Sequence, residues 1–456
     1  MLWTIFKREL TDHITSFRFS AIFLLAVLLM ITSILVSSMR YTRAIKEYPN
    51  RIDQLVNEDG KVNLGAVASM GDLTIRKFPS SLAFCSGTGE YELPNQAVMA
   101  VHGLHAFRKT SDIGEIMSGS SNIDWAFVIS ILLSFGAGLL TYKSISGELR
   151  DGTLSLIFSN PVSRGTVLFG KYLAALVALI SAFSVAVLLS LIVLQYTGTA
   201  QLTGDDWLKI VFFAVASVVY LSIFVQIGLL CSVFTRGPLL SAVAFVFVWS
   251  FLVLVVPNLG GILASQVGDI KTPLQIHEIA NVIPDQFSLT SGMSADELAA
   301  AKLQRELARE RLLLEYFQSL VHQVDLGHDL TRISPTSTFL YASERIVGGG
   351  TFRLMNFVNN AVHFREGLFL AIIDADKLDP DSQHRYVPWW YGNNQFSRKV
   401  VDLGQAKEFH DAPPSSTEGL AAASWDIALL ILYNMCAFAI SFWRFARQDV
   451  APTPGV

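Results

Sequence analysis

The sequence is poor in charge and in cysteine. Charged side chains make up 16% of the 456 residues, whereas a soluble domain carries about 25%, so neither a soluble enzyme nor a disordered chain is expected. The net charge of −4 gives no basic field that attracts nucleic acid. The three cysteines, Cys85, Cys231 and Cys436, lie far apart without a C-x-x-C pair. They signal neither a disulfide framework nor a zinc site.

The chain is rich in long stretches of apolar residues. A helix needs about 20 apolar residues to cross the hydrocarbon core of a bilayer, and six stretches satisfy this requirement. The predicted spans are 19–39, 125–142, 172–196, 207–235, 237–257 and 426–446. Pro257 is expected to end the fifth helix near residue 256. The predicted fold class is an all-α polytopic membrane protein.

Positive charge predicts the orientation of these spans. The segments 1–18, 143–171, 235–236 and 444–456 share one side of the membrane and hold ten Lys and Arg residues, whereas the short loop 197–206 holds none. Because Lys and Arg accumulate in short cytoplasmic loops, both termini, including the tail 447–456, are expected in the cytoplasm.

Two long segments, 40–124 and 258–425, then lie outside as mainly α or α+β domains. Neither contains an N-x-Ser/Thr glycosylation sequon. This absence is compatible with a bacterial inner membrane but is not specific to it. Segment 40–124 shows no clear periodicity, and its structure is left open. Segment 258–425 offers a surface for an extracytoplasmic protein partner.

Local signals predict three helices in segment 258–425. Ser294 and Glu297 form a capping box that starts an amphipathic helix reaching about Val324. A short helix is expected after Ser334-Pro335, and a second long one over 352–373. The first helix is expected to pack on its own domain, with pairing to a second subunit as the alternative.

The outer segments contain two sequence patterns that resemble metal-binding motifs but lack required ligands. His277-Glu278 resembles the start of a zinc-protease helix, but Asn281 replaces the second histidine. The acidic run from Asp374 to Asp381 has Leu378 at the third ligand position of a calcium loop, so a solvated acidic loop is expected. Core or interfacial anchoring is the expectation for three aromatic residues, Trp389, Trp390 and Tyr391.

The first residues of the chain form an amphipathic pattern. Leu2, Phe6 and Leu10 recur every fourth position among polar residues. This predicts a helix over residues 1–18 that lies in the headgroup plane of the bilayer. The alternative is an ordinary start to the first membrane helix.

Two features inside the spans bear on how the chain works. Small residues recur every fourth position on the third span, at Ala174, Ala178, Ala182 and Ala186, a spacing that lets helices approach closely. Packing within the subunit is expected, with a seam between subunits as the alternative. No Asp, Glu, Lys or Arg lies in the middle of a span, so ion-coupled transport is disfavoured and energy must arrive from elsewhere.

The loop 143–171 is the most informative stretch. An apolar patch follows polar residues, and Asn160-Pro161 interrupts regular secondary structure. The chain then returns to the bilayer at Lys171. The patch consists of Leu154, Leu156, Ile157 and Phe158. Exposed apolar residues of this kind are expected to be covered by a partner protein or buried at the bilayer surface.

This loop resembles that of the permease subunits of ABC-2-type transporters. The resemblance lies in E-x-x-x-G-T-L, P-x-S-R and a final G-K, here Glu148, Gly152, Thr153, Leu154, Pro161, Arg164, Gly170 and Lys171. It implies a coupling helix that docks into a groove of a separate cytoplasmic ATPase. Glu148 and Arg164 are then expected to contact that ATPase, and residues 154–158 to fill its groove.

The same loop contains a false nucleotide motif. Residues 165–171 fit G-x-x-x-x-G-K, but Tyr172 stands where the motif needs Ser or Thr for Mg²⁺. No cofactor is therefore expected on this chain, since the resemblance assigns ATP and Mg²⁺ to the partner ATPase. The chain itself is not expected to be an enzyme.

The predicted function is that of a permease subunit, with a family-level lean to export. Two permease chains, identical or related, form the pathway in the lipid bilayer, and no nucleic acid is involved. The alternative is a membrane-anchored binding or signalling protein whose outer domains act without moving a substrate.

Overall fold

The computed structural model describes residues 2–48, 61–69, 71–87, 93–109, 123–199, 201–267, 293–388, 395–404 and 408–447. The segment His277–Asn281 and the aromatic residues Trp389, Trp390 and Tyr391 lie outside them.

Helices dominate the described chain. Residues 2–267 contain α1 (Leu2–Ile14), α2 (Phe17–Glu47), β1 (Val62–Asn63), α3 (Leu64–Ala68), β2 (Leu73–Arg76), β3 (Gln96–Ala100), β4 (Gly103–Arg108), α4 (125–141), α5 (Ser146–Arg150), α6 (Thr153–Phe158), α7 (Arg164–Thr197), α8 (Gly204–Phe234) and α9 (238–267). Residues 293–447 contain α10 (Ala295–Thr331), α11 (Pro335–Val347), α12 (Gly350–Lys377), β5 (Val400–Val401) and α13 (Ser416–Ala446).

Six of the described helices are long and apolar enough to cross a membrane. They are α2, α4, α7, α8, α9 and α13, each overlapping one predicted span. The prediction of a helical polytopic membrane protein is therefore confirmed.

Helix caps explain where the long helices begin. Ser16, Ser163 and Thr203 each accept a hydrogen bond from the backbone N–H three residues ahead, which satisfies one of the N–H groups that a helix start leaves open. Because Ser16 caps α2, α1 is a helix of its own. The alternative of an ordinary start to the first membrane helix is not what the structure shows.

The fifth span corrects one expectation, because its helix continues past Pro257 to Val267. A π-helical turn, Phe251–Val255, precedes the proline. Within this turn the N–H of Val256 donates to the carbonyl of Phe251. The same spacing would pair the carbonyl of Leu252 with the N–H of residue 257, but proline has no N–H. Ser334 donates its hydroxyl to this carbonyl of Leu252. A side chain from outside the helix thus compensates for the proline.

Part of the segment 258–425 packs within the helix bundle. Its short helix α11 packs between α8 and α13. The Tyr220 hydroxyl lies 3.0 Å from the Ser130 carbonyl and 3.1 Å from Thr336 Oγ1, and its ring stacks on Phe339 at 4.4 Å. Apolar contacts and the hydrogen-bonded hydroxyls of Thr336 and Thr338 help to bury this mixed-polarity helix.

The other predicted helices of this segment exist but are longer. The Ser294–Glu297 capping box starts α10, which ends at Thr331 instead of near Val324. Helix α12 spans Gly350–Lys377, beyond both predicted ends. Helices with many exposed polar residues lose the hydrophobic signal at their ends before the backbone leaves the helix.

Segment 40–124, whose structure the sequence left open, contributes most of the small sheets. Strands β2, β3 and β4 form an antiparallel sheet, and β1 pairs with β5. The three-stranded sheet packs on α10 and α12, where Leu104, Phe357 and Leu368 belong to a second apolar core. A buried ion pair between Arg353 and Asp411 joins α12 to the approach to α13.

The acidic run is only partly the solvated loop that was expected, since Asp374 and Asp381 are exposed but the other two aspartates are not. Asp376 and Asp379 are buried. The Lys399 ammonium and the Ser397 hydroxyl donate to Asp379 and lower its pKa to about 2. Asp376 accepts from the Ser397 N–H at 2.8 Å. These carboxylates hold the chain around β5 against the end of α12.

The alanine stripe of α7 is buried within the chain. Ala174, Ala178, Ala182 and Ala186 are all inaccessible, and the main neighbours of α7 are α1 and α2. This agrees with packing inside the subunit, the favoured interpretation of the stripe.

We expect Ala178→Leu to destabilise the protein by about 1–3 kcal/mol, because a larger side chain overfills a close-packed helix interface. Ser184→Leu is the matched control, since Ser184 is exposed on the same helix. Unfolding in mixed detergent micelles measures both variants. Equal stability of the two would contradict the packing role.

Candidate functional site

The loop between α4 and α7 forms two short helices, α5 and α6. We call the end of the helix bundle at which they lie the loop end. Gly152 joins them with a φ of 72°, a left-handed conformation that strains a residue with a side chain. No atom lies within 4 Å of a Cβ built there. Backbone conformation, and not lack of space, therefore explains glycine at this position.

Lys171 is the centre of the loop end. Only 1% of its surface is exposed, and its ammonium lies 2.6 Å from Glu9 Oε1 and 2.8 Å from Glu148 Oε1. Glu9 belongs to α1, Glu148 to α5 and Lys171 to α7. One buried cation thus ties the amino-terminal helix, the loop and the third membrane helix together.

A close helix contact supports this ion triad. A Cβ built on Gly170 would lie 3.1 Å from the Ile5 Cγ2 atom. Glycine therefore lets α1 pack directly on the start of α7. The sequence pattern flagged Gly170-Lys171 but not its partner, because Glu9 lies 162 positions from Lys171.

Arg164 ties the loop to the last helix. Its guanidinium donates hydrogen bonds of 2.9 Å to the carbonyls of Phe445 and Ala446, and it lies 5.7 Å from the ring centre of Phe158. The last carbonyls of a helix lack intrahelical partners and carry a partial negative charge. Arg164 thus caps α13, and the carboxyl-terminal end of that helix lies at the loop end with α1.

The apolar patch is divided between the interior and the surface, which corrects one expectation. Leu154 is 1% exposed and lies in the main core, and Ile157 and Phe158 pack against that core. Leu156 is 67% exposed. In a helix, positions i, i+3 and i+4 share a face, so residues 154, 157 and 158 hold α6 on the bundle. In this conformation Leu154 is enclosed, and Ile157 and Phe158 keep only part of their surface exposed.

The predicted polar contacts are also engaged within the chain. Glu148 binds Lys171 and Arg164 caps α13, so neither is presented to a partner in this conformation. Their role here is to position the loop. The residues that this end presents outward are Lys143, Arg150, Asp151, Thr153, Leu156, Ser159, Asn160, Pro161 and Ser163.

The nucleotide-like motif has helical backbone. Residues 165–171 lie in the first two turns of α7, and Ser163 caps that helix. A phosphate-binding loop needs non-helical backbone whose N–H groups converge on phosphate. This segment instead uses its N–H groups in a helix and its lysine in an ion triad.

A second charged cluster was missed by sequence reasoning. Asp426 is fully buried, and its two carboxylate oxygens lie 2.6 Å from Arg332 Nε and 2.7 Å from Arg345 Nη1. Arg332 precedes α11 and Arg345 lies in its last turn. The pair therefore fixes α11 to α13. Asp426 stands at the edge of a predicted span, where a carboxylate is unremarkable, so its sequence position carried no signal.

Comparison with known proteins gives one match. A model of the family described as ABC-2 family transporter protein matches residues 3–450. No curated protein matches the chain.

Proposed function

Since the chain belongs to the ABC-2 family of transporter proteins, we propose that it is the permease subunit of an exporter driven by a separate cytoplasmic ATPase. Members of this family are transmembrane transport subunits that are not themselves catalytic. The ATPase supplies the nucleotide site with its ATP and Mg²⁺, and this chain supplies the membrane pathway.

The observation that carries the proposal is the linkage at the loop end. Lys171 joins the loop to α1 and α7, and Arg164 joins it to α13. Buried, charge-assisted contacts of this kind hold their partners in fixed geometry. A displacement of α5 and α6 is therefore passed on to three helices of the bundle together.

The docking surface that we propose is the outward face of the loop. Leu156 is its apolar centre, and Arg150, Asp151 and Thr153 lie beside it in sequence on exposed positions. An exposed leucine surrounded by polar residues is typical of a residue that a partner buries. Leu154 supports this face from beneath by packing in the core.

The loop end faces the cytoplasm of a bacterium in this proposal. It gathers α1, the loop and the end of α13, and most of the Lys and Arg residues of the short connections lie there. Positive charge retained on the cytoplasmic side accounts for this arrangement. Apart from α11, which packs in the helix bundle, the helices and sheets of the segments 40–124 and 258–425 then face outward as extracytoplasmic domains of an inner-membrane protein.

Two permease chains, identical or related, line the pathway in this proposal. Because the ATPase drives transport, the transporter needs no ionisable residue in the pathway to carry coupling protons or ions. The mechanism is mechanical: closing and opening of the ATPase pair moves the loop, and the loop moves α1, α7 and α13.

We expect Leu156→Asp to weaken association with the ATPase at least about 30-fold, because a charge replaces the apolar centre of the interface. Ser319→Asp places the same charge on an exposed serine of α10, outside the proposed docking surface, and is expected to change association little. The measurement is the mass of the intact complex, purified in mild detergent from native membranes, for each variant.

The same purification separates the proposal from its alternative. Two permease chains with two ATPase chains support the transporter. A lone chain, or one held only by partners of its extracytoplasmic domains, overturns it in favour of an anchored receptor. Unchanged assembly of Leu156→Asp would overturn the docking surface alone.

A further inference from the structure

Three metal-binding side chains meet between the small sheet and α10, remote from the loop end. His102 lies in the turn between β3 and β4, His105 lies in β4, and Glu306 lies in α10. One ligand atom from each residue lies within 4.8 Å of the other two. Two imidazoles and one carboxylate are a donor set that suits zinc and related divalent transition metals.

Each of the two histidines has a polar partner at Nδ1. His105 Nδ1 lies 2.7 Å from Asp72 Oδ1, and His102 Nδ1 lies 2.8 Å from the Tyr386 hydroxyl. A carboxylate beside Nδ1 holds the proton on that nitrogen, so the lone pair is on Nε2. Such outer partners fix the ring and raise the basicity of the ligand.

Two of the three candidate ligands are shielded from solvent. His102 and Glu306 are 1% and 3% exposed. Arg309, one turn along α10, has its Nη1 atom 3.2 Å from Glu306 Oε1 and 3.4 Å from Glu306 Oε2. It offsets part of the carboxylate charge, and a bound cation would share the carboxylate with it.

We propose that His102, His105 and Glu306 bind one divalent first-row transition metal cation, for which zinc is the probe. Three protein ligands leave a fourth position for water or another donor. Because the ligands come from a β-hairpin and from a helix about 200 positions later in the chain, the bound cation fastens the sheet to α10. The site is independent of the proposed transport function.

The test uses the full-length protein in detergent, purified with a tag that contains no histidine and stripped with a chelator. Zinc sulfate is added, the protein is desalted, and the metal content and melting temperature are measured. We expect about one retained zinc per chain and a higher melting temperature. Cobalt(II) added in place of zinc is expected to give the visible absorption of a four-coordinate site.

Two variants and one control make the test specific. His105→Asn and Glu306→Gln are expected to lose the retained zinc and the cobalt absorption. His410→Asn removes an exposed histidine elsewhere and is expected to keep both. Asp72→Asn, which removes only the outer partner of His105, is expected to weaken zinc binding about 10- to 100-fold.

Wild-type protein that retains no zinc and shows no cobalt spectrum overturns the proposal without any variant, so misfolding of a variant cannot decide the matter. Retention of zinc by folded His105→Asn or Glu306→Gln also overturns it. Circular dichroism of each variant establishes that it is folded.

Discussion

Replacing Lys171 with methionine is expected to destabilise the protein by about 3–5 kcal/mol, the cost of leaving buried charge without its partner. Methionine matches the length of the lysine chain, so the cavity is small and the lost charge dominates. Glu9 and Glu148, both largely shielded from solvent, then face each other without a cation. Their mutual repulsion should open the packing of α1 on α7.

The matched control is Lys143→Met, since Lys143 is exposed at the same end of the bundle. Unfolding in mixed detergent micelles compares the two variants with the wild type. A change of less than about 0.5 kcal/mol is expected for the control. If Lys171→Met were equally mild, the ion triad would not hold the loop end together.

A neutral triad separates stability from coupling. The combination Lys171→Met, Glu9→Gln and Glu148→Gln removes all three charges, and replacing buried ion pairs by neutral groups is often close to neutral for stability. We expect this variant to recover most of the stability lost in Lys171→Met.

Local features of this fold were predictable from the sequence. The six spans follow from apolar length, and the start of α10 follows from the Ser294–Glu297 capping box, because both signals lie within one turn or one helix. The resemblance of the loop implied a helix within residues 144–164, where the structure has α5 and the short α6. The orientation of α6 was not predictable, since a six-residue helix is too short for periodicity to say which face meets the bundle.

Contacts between distant segments were beyond sequence reasoning. Glu9 pairs with Lys171 across 162 positions, and Asp426 pairs with Arg332 across 94. No local pattern links such residues, since the pairing depends on how helices pack. The same applies to α11, which was predicted as a short helix without any indication of whether it is buried. Its burial depends on partners such as Tyr220 and the Leu252 carbonyl.

Pro257 shows how tertiary context changes a local rule. Proline removes a backbone donor and usually ends or kinks a helix. Here the π-helical turn Phe251–Val255 and the Ser334 hydroxyl accommodate it. The fifth span and α11 therefore complete each other's hydrogen bonding, and the position of α11 depends on α9 as well as on α13.

This dependence leads to the second large effect, for Asp426→Asn. Loss of the carboxylate leaves Arg332 and Arg345, both largely buried at this site, without their shared counter-charge. The expected destabilisation is about 3–5 kcal/mol. Asparagine retains the shape of the side chain, so the loss reports charge and not a cavity. Trp425→Leu is the control, because Trp425 is the adjacent and exposed residue of α13.

Hydrogen exchange distinguishes a local loss from a general one. If Asp426 fastens α11 to α13, the amides of residues 335–347 should exchange much faster in Asp426→Asn, while those of α7 and the loop end stay protected. Uniformly faster exchange would mean that Asp426 stabilises the bundle as a whole. Unchanged exchange in α11 would mean that the contacts of Tyr220 and Ser334 suffice to hold that helix. In the expected case, α11 is a separately held element, and the charge of Asp426 adds to its apolar packing on α13.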